Sequence, residues 1–182
     1  EEPQVTEREI SWMIDQGTAA GVFHKSEKEM VSNVMRLDAL KVGAIMTPRM
    51  DIYAIDLASP PAEVRRRLME SSHSIIPVCR NGIDNVVGVV EAKDLMRRVL
   101  SGEELDVLSA VRKVEYIPKS LNSVQLLEEF RKSKVSMALV VDEYGEVAGL
   151  ATLKDVLEAI VGDMPSEEPW ENEPEAVQRE DG

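Results

Sequence analysis

The chain has 182 residues, 43% hydrophobic and 30% charged, enough to bury the core of one compact domain or two small fused ones and too apolar for a disordered chain. Its formal net charge of −13 excludes broad binding to a nucleic-acid backbone, which relies on clustered lysine and arginine. The lone Cys79 excludes an internal disulfide framework or a cysteine metal cluster and fits a reducing compartment; no apolar run approaches the roughly 18 residues of a membrane span.

In chain order, the first zone contains two helical patterns, each opening on a hydroxyl residue followed three places later by glutamate: Thr6 with Glu9, and Ser26 with Glu29. That spacing lets side chain and backbone satisfy each other's free groups at a helix start. Gly17 and Gly21 are expected to separate the helices, and Met30, Val31, Val34, Met35 and Leu37 give the second an apolar face. This zone, residues 1–41, reads as a helical connector. Beginning at Glu1 without a methionine and entering a helix almost at once, the sequence reads as a soluble segment of a longer protein.

From Val86 to Leu100 the chain aligns with Val147 to Val161 at an offset of 61, with four identities and apolar residues opposite apolar ones at most other places. A fixed repeat interval indicates duplicated units, taken as residues 42–104 and 105–164. Each parses as β-α-β-β-α. The first strands are "DIYAID" and "VEYIP", and the helices run 62–70 and 123–132. Hairpins then turn at Asn81-Gly82 and over Asp142 to Gly145, and closing helices start from Lys93 and Lys154. The predicted class is therefore α/β (α+β), two units packed as a pseudo-twofold pair. Residues 165–182 follow as an acidic, proline-containing flexible tail; from Asp163 to Gly182 there are eight acids and one arginine.

Two heptapeptides mark the same place in each unit: "GVVEAKD", Gly88 to Asp94, and "GLATLKD", Gly149 to Asp155. Each spans the end of a third strand and the start of the closing helix, where free N–H groups and the helix dipole favour an anion. In the second copy Thr152 offers a hydroxyl to a phosphate and Asp155 an acceptor to a ribose diol. In the first copy Glu91 places negative charge at the phosphate position and should repel the same ligand. Thr152 is equally suited to a plain helix cap. No P-loop, zinc-protease motif or nucleophile–base set is present, and His24 and His73 read as surface or capping residues, so the pattern indicates binding rather than catalysis.

Together with Met46-Thr-Pro-Arg49 and Asp142-Glu-Tyr-Gly145, the doubled unit with its Gly-Thr-Asp motif resembles a tandem CBS-domain pair, or Bateman module. More specifically it resembles the cytosolic part of the CorC/HlyC-like, CNNM-type membrane proteins associated with magnesium and cobalt efflux. The resemblance runs from about Val5 to Met164. It implies an adenosine nucleotide, preferably ATP with Mg²⁺, held between the units by Thr152 and Asp155. It also implies Thr47 facing phosphate from the other unit, and Met137 and Ala138 forming the adenine wall. Arg49 and Tyr53 become candidates for phosphate charge and base stacking. Core packing for Met137 and Ala138 is compatible with that wall, which recognises the base through backbone groups; a pairing of Arg49 with Asp51 or a tail carboxylate and simple strand packing for Tyr53 are the competing readings. The resemblance further implies homodimers and a membrane-embedded transport domain in the same parent chain, placing this module at the cytoplasmic face of the membrane. The alternatives are a structural dimerisation scaffold with a vestigial pocket and an adenine-nucleotide hydrolase.

Overall fold

A computed structural model describes residues 5–163; the acidic tail assigned to 165–182 lies outside the described residues. Helix α1, Glu7–Ala19, starts as expected: the Glu9 N–H donates to Thr6 Oγ1 at 3.3 Å and the Thr6 N–H to Glu9 Oε2 at 2.7 Å. Gly17 lies inside α1 rather than after it. A Cβ there would stand 2.8 Å from the Phe23 ring, so the glycine makes room for the returning chain. Helix α2, Lys25–Arg36, begins earlier than the Ser26/Glu29 spacing suggests: His24 is the N-cap residue, and its N–H donates to Glu27 Oε2 at 2.7 Å. Two overlapping registers were available, and the turn formed by the Val22 N–H donating to the Gly17 carbonyl delivers the chain to the earlier one.

The β-α-β-β-α order appears twice. The first unit contains β2 (Ile55–Asp56), α4 (Pro61–Glu70), β3 (Ile75–Cys79), β4 (Val86–Glu91) and α5 (Ala92–Leu100). The second contains β5 (Glu115–Pro118), α6 (Ser123–Ser133), β6 (Met137–Val141), β7 (Val147–Thr152) and α7 (Leu153–Val161). In each, the first strand pairs parallel with the second and the second antiparallel with the third. The "DIYAID" segment is less regular than expected. Only Ile55 and Asp56 pair as strand, and a 3-10 turn covers Arg49–Asp51. The turn residues behave as their chemistry requires: Asn81 and Gly82 take φ of 59° and 102°, and Asp142 Oδ1 accepts the N–H groups of Tyr144 and Glu146.

A short helix α3 (Val42–Ile45) and strand β1 (Thr47–Pro48) precede the first unit in sequence yet attach to the second. β1 pairs antiparallel with β7, Thr47 opposite Leu150 and Pro48 opposite Gly149, giving a sheet ordered β1-β7-β6-β5. The N–H groups of Val42 and Gly43 donate to the carbonyls of Leu121 and Lys119, and Val42 is fully buried in the core of the second unit with Leu126 and Phe130. Reciprocally, Val107 and Ala110 are buried in the core of the first unit with Ile55 and Val64. Arg112 then crosses β4 as a one-residue antiparallel bridge to Val89.

A third apolar cluster joins the two sheets: Val114, Leu139, Val147 and Leu150 pack against Ile52, Ile83, Val86 and Val89. Strand alternation explains the division, because along β6 Ala138 and Val140 face the helices while Leu139 faces the other sheet. On the outside, α2 lies along α7, and Asn33 Nδ2 donates to the Ile160 carbonyl at 2.9 Å.

Candidate functional site

The second heptapeptide is shaped first by its glycine. A Cβ on Gly149 would stand 2.5 Å from the Thr47 carbonyl oxygen and 2.6 Å from Met46 Sδ, so only glycine lets β1 cross here. That crossing brings Thr47 beside the β7–α7 junction, although more than a hundred residues separate them in sequence. Gly88 plays the same part in the first unit, where a Cβ would collide with the Arg112 carbonyl and Val111 Cγ1.

At the junction Thr152 caps α7. The Asp155 N–H donates to Thr152 Oγ1 at 3.2 Å, and Asp155 Oδ2 accepts from the Thr152 N–H at 2.7 Å and its hydroxyl at 3.0 Å. Asp155 Oδ1 makes no hydrogen bond among the described residues, leaving an acceptor at the helix start. Burial pushes the Asp155 carboxyl above its ordinary value, against the lowering effect of its bonds to Thr152. The folded protein therefore holds this proton more tightly than the unfolded chain, and the stability linked to it is lost as pH rises through the raised value. Asp155→Asn should remove that slope. In urea titrations from about pH 3 to about pH 7, the wild-type minus variant stability should be largest in acid and fall on the way to neutrality.

Around this junction opens a cleft of about 430 Å³ between the units. The second unit contributes Ser136, Met137, Leu150, Thr152, Lys154, Asp155 and Glu158, and the first contributes Asp51, Ile52, Tyr53, His73, Ser74 and Ile75, with Thr47 at the crossing. Five of the seven residues singled out in the sequence therefore meet: Thr47, Tyr53, Met137, Thr152 and Asp155. Tyr53 is anchored by its hydroxyl, which donates to the Arg67 carbonyl at 2.6 Å. The Arg67 guanidinium lies 4.5 Å from the ring centroid, and the His73 ring stands 5.4 Å away.

The other two lie elsewhere. Arg49 points away from the cleft and forms a two-pronged pair with Asp84, at 2.5 and 2.7 Å, while its Nη1 also donates to the Val147 carbonyl at 3.3 Å. It thus ties the first unit's hairpin to β7, and its carboxylate partner is Asp84 rather than Asp51. The Asp84 carboxyl is held below its ordinary range by this hydrogen-bonded guanidinium. Ala138 is buried with the core under α6 and α7, because it follows Met137 on the strand and so faces the opposite side.

Sequence reasoning missed His73, Ser74 and Ser136 as lining residues, and also the role of Lys154. The repeated lysine of the heptapeptides was a usable signal for Lys154; nothing in the spacing brings the loop before β3 to this wall. Among the charged lining residues only Lys154 is basic, against Asp51, Asp155 and Glu158. No group of three or more potential ligands suited to a metal ion occurs among the described residues.

A doubled β-α-β-β-α chain with exchanged leading segments and a cleft at the strand–helix junction defines a tandem module, and the CBS domain family model matches at residues 42–101 and 106–162. The chain belongs to the CBS-domain family. Among solved structures it is similar to the CBS domain of a bacterial CNNM/CorC family Mg²⁺ transporter, with a TM-score of 0.77 and 35% identity, covering 88% of this chain and 99% of that one. The CBS domain of a bacterial CNNM/CorC family Mg²⁺ transporter in complex with ATP matches with a TM-score of 0.67 and 37% identity, over 76% of this chain and 99% of that one. A CBS-domain pair from Klebsiella pneumoniae with bound AMP matches at 0.64 and 31%, over 68% and 99%. Among curated relatives, a UPF0053 protein of Synechocystis is 38% identical over 98% of this chain and 40% of its own length. The polyamine export protein of Escherichia coli is 33% identical over 88% of this chain and 36% of its own length. The chain thus spans two-fifths or less of these two relatives. Its type, a tandem CBS pair like those of CNNM/CorC transporters, is not a typical enzyme fold.

Proposed function

We propose that this chain is the regulatory module of a membrane cation transporter and that it binds an adenosine nucleotide, ATP with Mg²⁺, in the cleft crossed by Thr47. The observation that carries this reading is the junction itself: a capped helix start, a free Asp155 oxygen and a hydroxyl from the other unit's leading segment converge on one open cleft. Phosphates would lie between Thr47 and Thr152, the ribose diol at Asp155 Oδ1, and the base against Met137, with Tyr53 at the opposite wall. The related structures that hold ATP and AMP support the ligand class. Mg²⁺ follows from charge. A triphosphate would meet one lysine and three carboxylates in this cleft, so a bound cation is needed to offset the repulsion.

Coupling would run along α7. Its start faces the ligand and its far end is held by Asn33 of α2, so closure of the cleft on phosphate would tilt the connector helices and reach a transport domain at the cytoplasmic membrane face. No helix among the described residues is itself long and apolar enough to cross a membrane. Exposed Met69, Met96 and Leu100 on the first unit's helices supply apolar surface for a homodimer. Magnesium transport and polyamine export are both consistent with the relatives, and the shared property of the cargo is positive charge.

The competing reading, a dimerisation scaffold with a vestigial pocket, is favoured by the fact that the Thr152 hydroxyl and Asp155 Oδ2 already bond to each other without ligand. Calorimetry with ATP, with and without Mg²⁺, separates the two. About one nucleotide per chain, tighter with Mg²⁺ and accompanied by a change in particle size, is expected. Absence of heat and of any thermal shift at about 1 mM nucleotide would overturn the proposal. ATP recovered intact after long incubation is expected as well; ADP formation lost in Thr152→Ala would favour a hydrolase instead.

A further inference from the structure

The first unit contains the counterpart of this cleft, and its own chain fills it. Arg112 crosses β4 opposite Val89 just as Thr47 crosses β7 opposite Leu150, and Glu91 and Asp94 stand where the second unit has Thr152 and Asp155. The Arg112 guanidinium donates to Glu91 Oε1 at 2.7 Å through Nη1 and to Asp94 Oδ2 through Nη2. One residue thus holds together the positions that correspond to the two ligand-contacting residues. The space that remains is about 140 Å³, against about 430 Å³ in the other cleft. Ligand-sized pockets begin at about 300 Å³.

We propose that Arg112 is a built-in plug and a specificity-determining residue that limits the chain to one nucleotide. The proposal rests on the reading of the open cleft given above, and it changes what Glu91 does. Glu91 is not a bare repulsive charge, because a guanidinium engages it; occlusion and latent repulsion act in series. A phosphate entering here must first displace Arg112, and displacement leaves Glu91 without its guanidinium at the phosphate position, while Asp94 keeps only its exposed pair with Arg97 at 3.2 Å and Lys113 and Lys134 remain on the lining. Each half of the plug therefore backs up the other. With Arg112 removed, two carboxylates remain; with Glu91 replaced by threonine, Arg112 still reaches Asp94.

The test is a set of ATP–Mg²⁺ titrations on the whole chain. Wild type, Glu91→Thr alone and Arg112→Thr alone should each bind about one nucleotide, and the Glu91→Thr/Arg112→Thr pair should bind about two. Retained affinity at the unaltered cleft reports that the double variant is folded. In a Thr152→Glu background the same pair should bind about one nucleotide, now in the first unit. Wild type binding two, either single variant gaining the second site, or a double variant that still binds one would each overturn the plug. A wild type that binds none overturns the reading of the open cleft. In that case the plug stands if the double variant gains one nucleotide and falls if it gains none.

Discussion

Thr152→Glu is expected to abolish nucleotide binding, weakening it by two to three orders of magnitude, while the protein remains folded. A carboxylate about 4 Å from a phosphate charge costs about 4 kcal/mol at an effective dielectric near 20, which is about a thousandfold in affinity. Losing the threonine cap costs about 1 kcal/mol, and a negative charge at a helix start returns about 0.3–1 kcal/mol, so stability should change little. The first unit shows that the fold accepts glutamate at this position: α5 begins at Glu91 without a side-chain cap. What differs is compensation. Glu91 has Arg112 across the cleft, whereas the crossing residue in the second unit is Thr47, which brings no charge. The new glutamate would also lie beside Asp155, whose carboxyl burial already pushes up. Paired calorimetry and urea unfolding check both halves of the expectation. Undiminished binding would mean that phosphate does not sit at this helix start.

Gly149→Ala should damage both stability and binding. Its Cβ would fall 2.5 Å from a backbone oxygen of Thr47, and backbone cannot swing aside as the end of a flexible side chain can. Relief requires β1 to lift from β7, breaking the Thr47–Leu150 and Pro48–Gly149 pairing and drawing Val42 and Met46 away from the core. A cost of about 2–3 kcal/mol is expected from overpacking of this kind. Binding should fall at least tenfold, because Thr47 leaves the cleft. Denaturant unfolding and nucleotide titration measure the two effects separately. A variant as stable as wild type with normal affinity would show that the crossing segment is not held against this strand.

The parts of the fold legible in the sequence were those written locally. Turn residues at Asn81-Gly82 and Asp142 to Gly145, the helical spacing of apolar residues between the strands, and the two heptapeptides gave the doubled β-α-β-β-α order, which the structure repeats. Thr152 and Asp155 could be placed because a strand end and a helix start are adjacent in sequence. What stayed hidden depends on distant pairing. Nothing in Thr47-Pro48 alone marks a two-residue strand that docks on Leu150 and Gly149, and nothing in the His73 loop points to the wall of the other unit's cleft. Arg49 illustrates the same limit from the other side: a guanidinium near a phosphate-facing threonine was a reasonable candidate, but its geometry is decided by Asp84 on a hairpin 35 residues away. For Ala138, strand alternation sends the side chain into the core, so any contact with a base would be through its backbone, as the resemblance implies.

The exchanged leading segments also bear on how such a protein can be cut or recombined. A break near residue 104 would divide the repeat evenly and yet leave neither half whole. The downstream piece would lose Val42 from its interior and expose the edge of β7, while the upstream piece would lose Val107 and Ala110 from beneath its helices. The smallest inheritable piece is thus the pair, because each copy finishes the other. Proteolytic nicking in that connection should release no independently folded half, and shuffling one copy into another protein would carry an unfinished core with it.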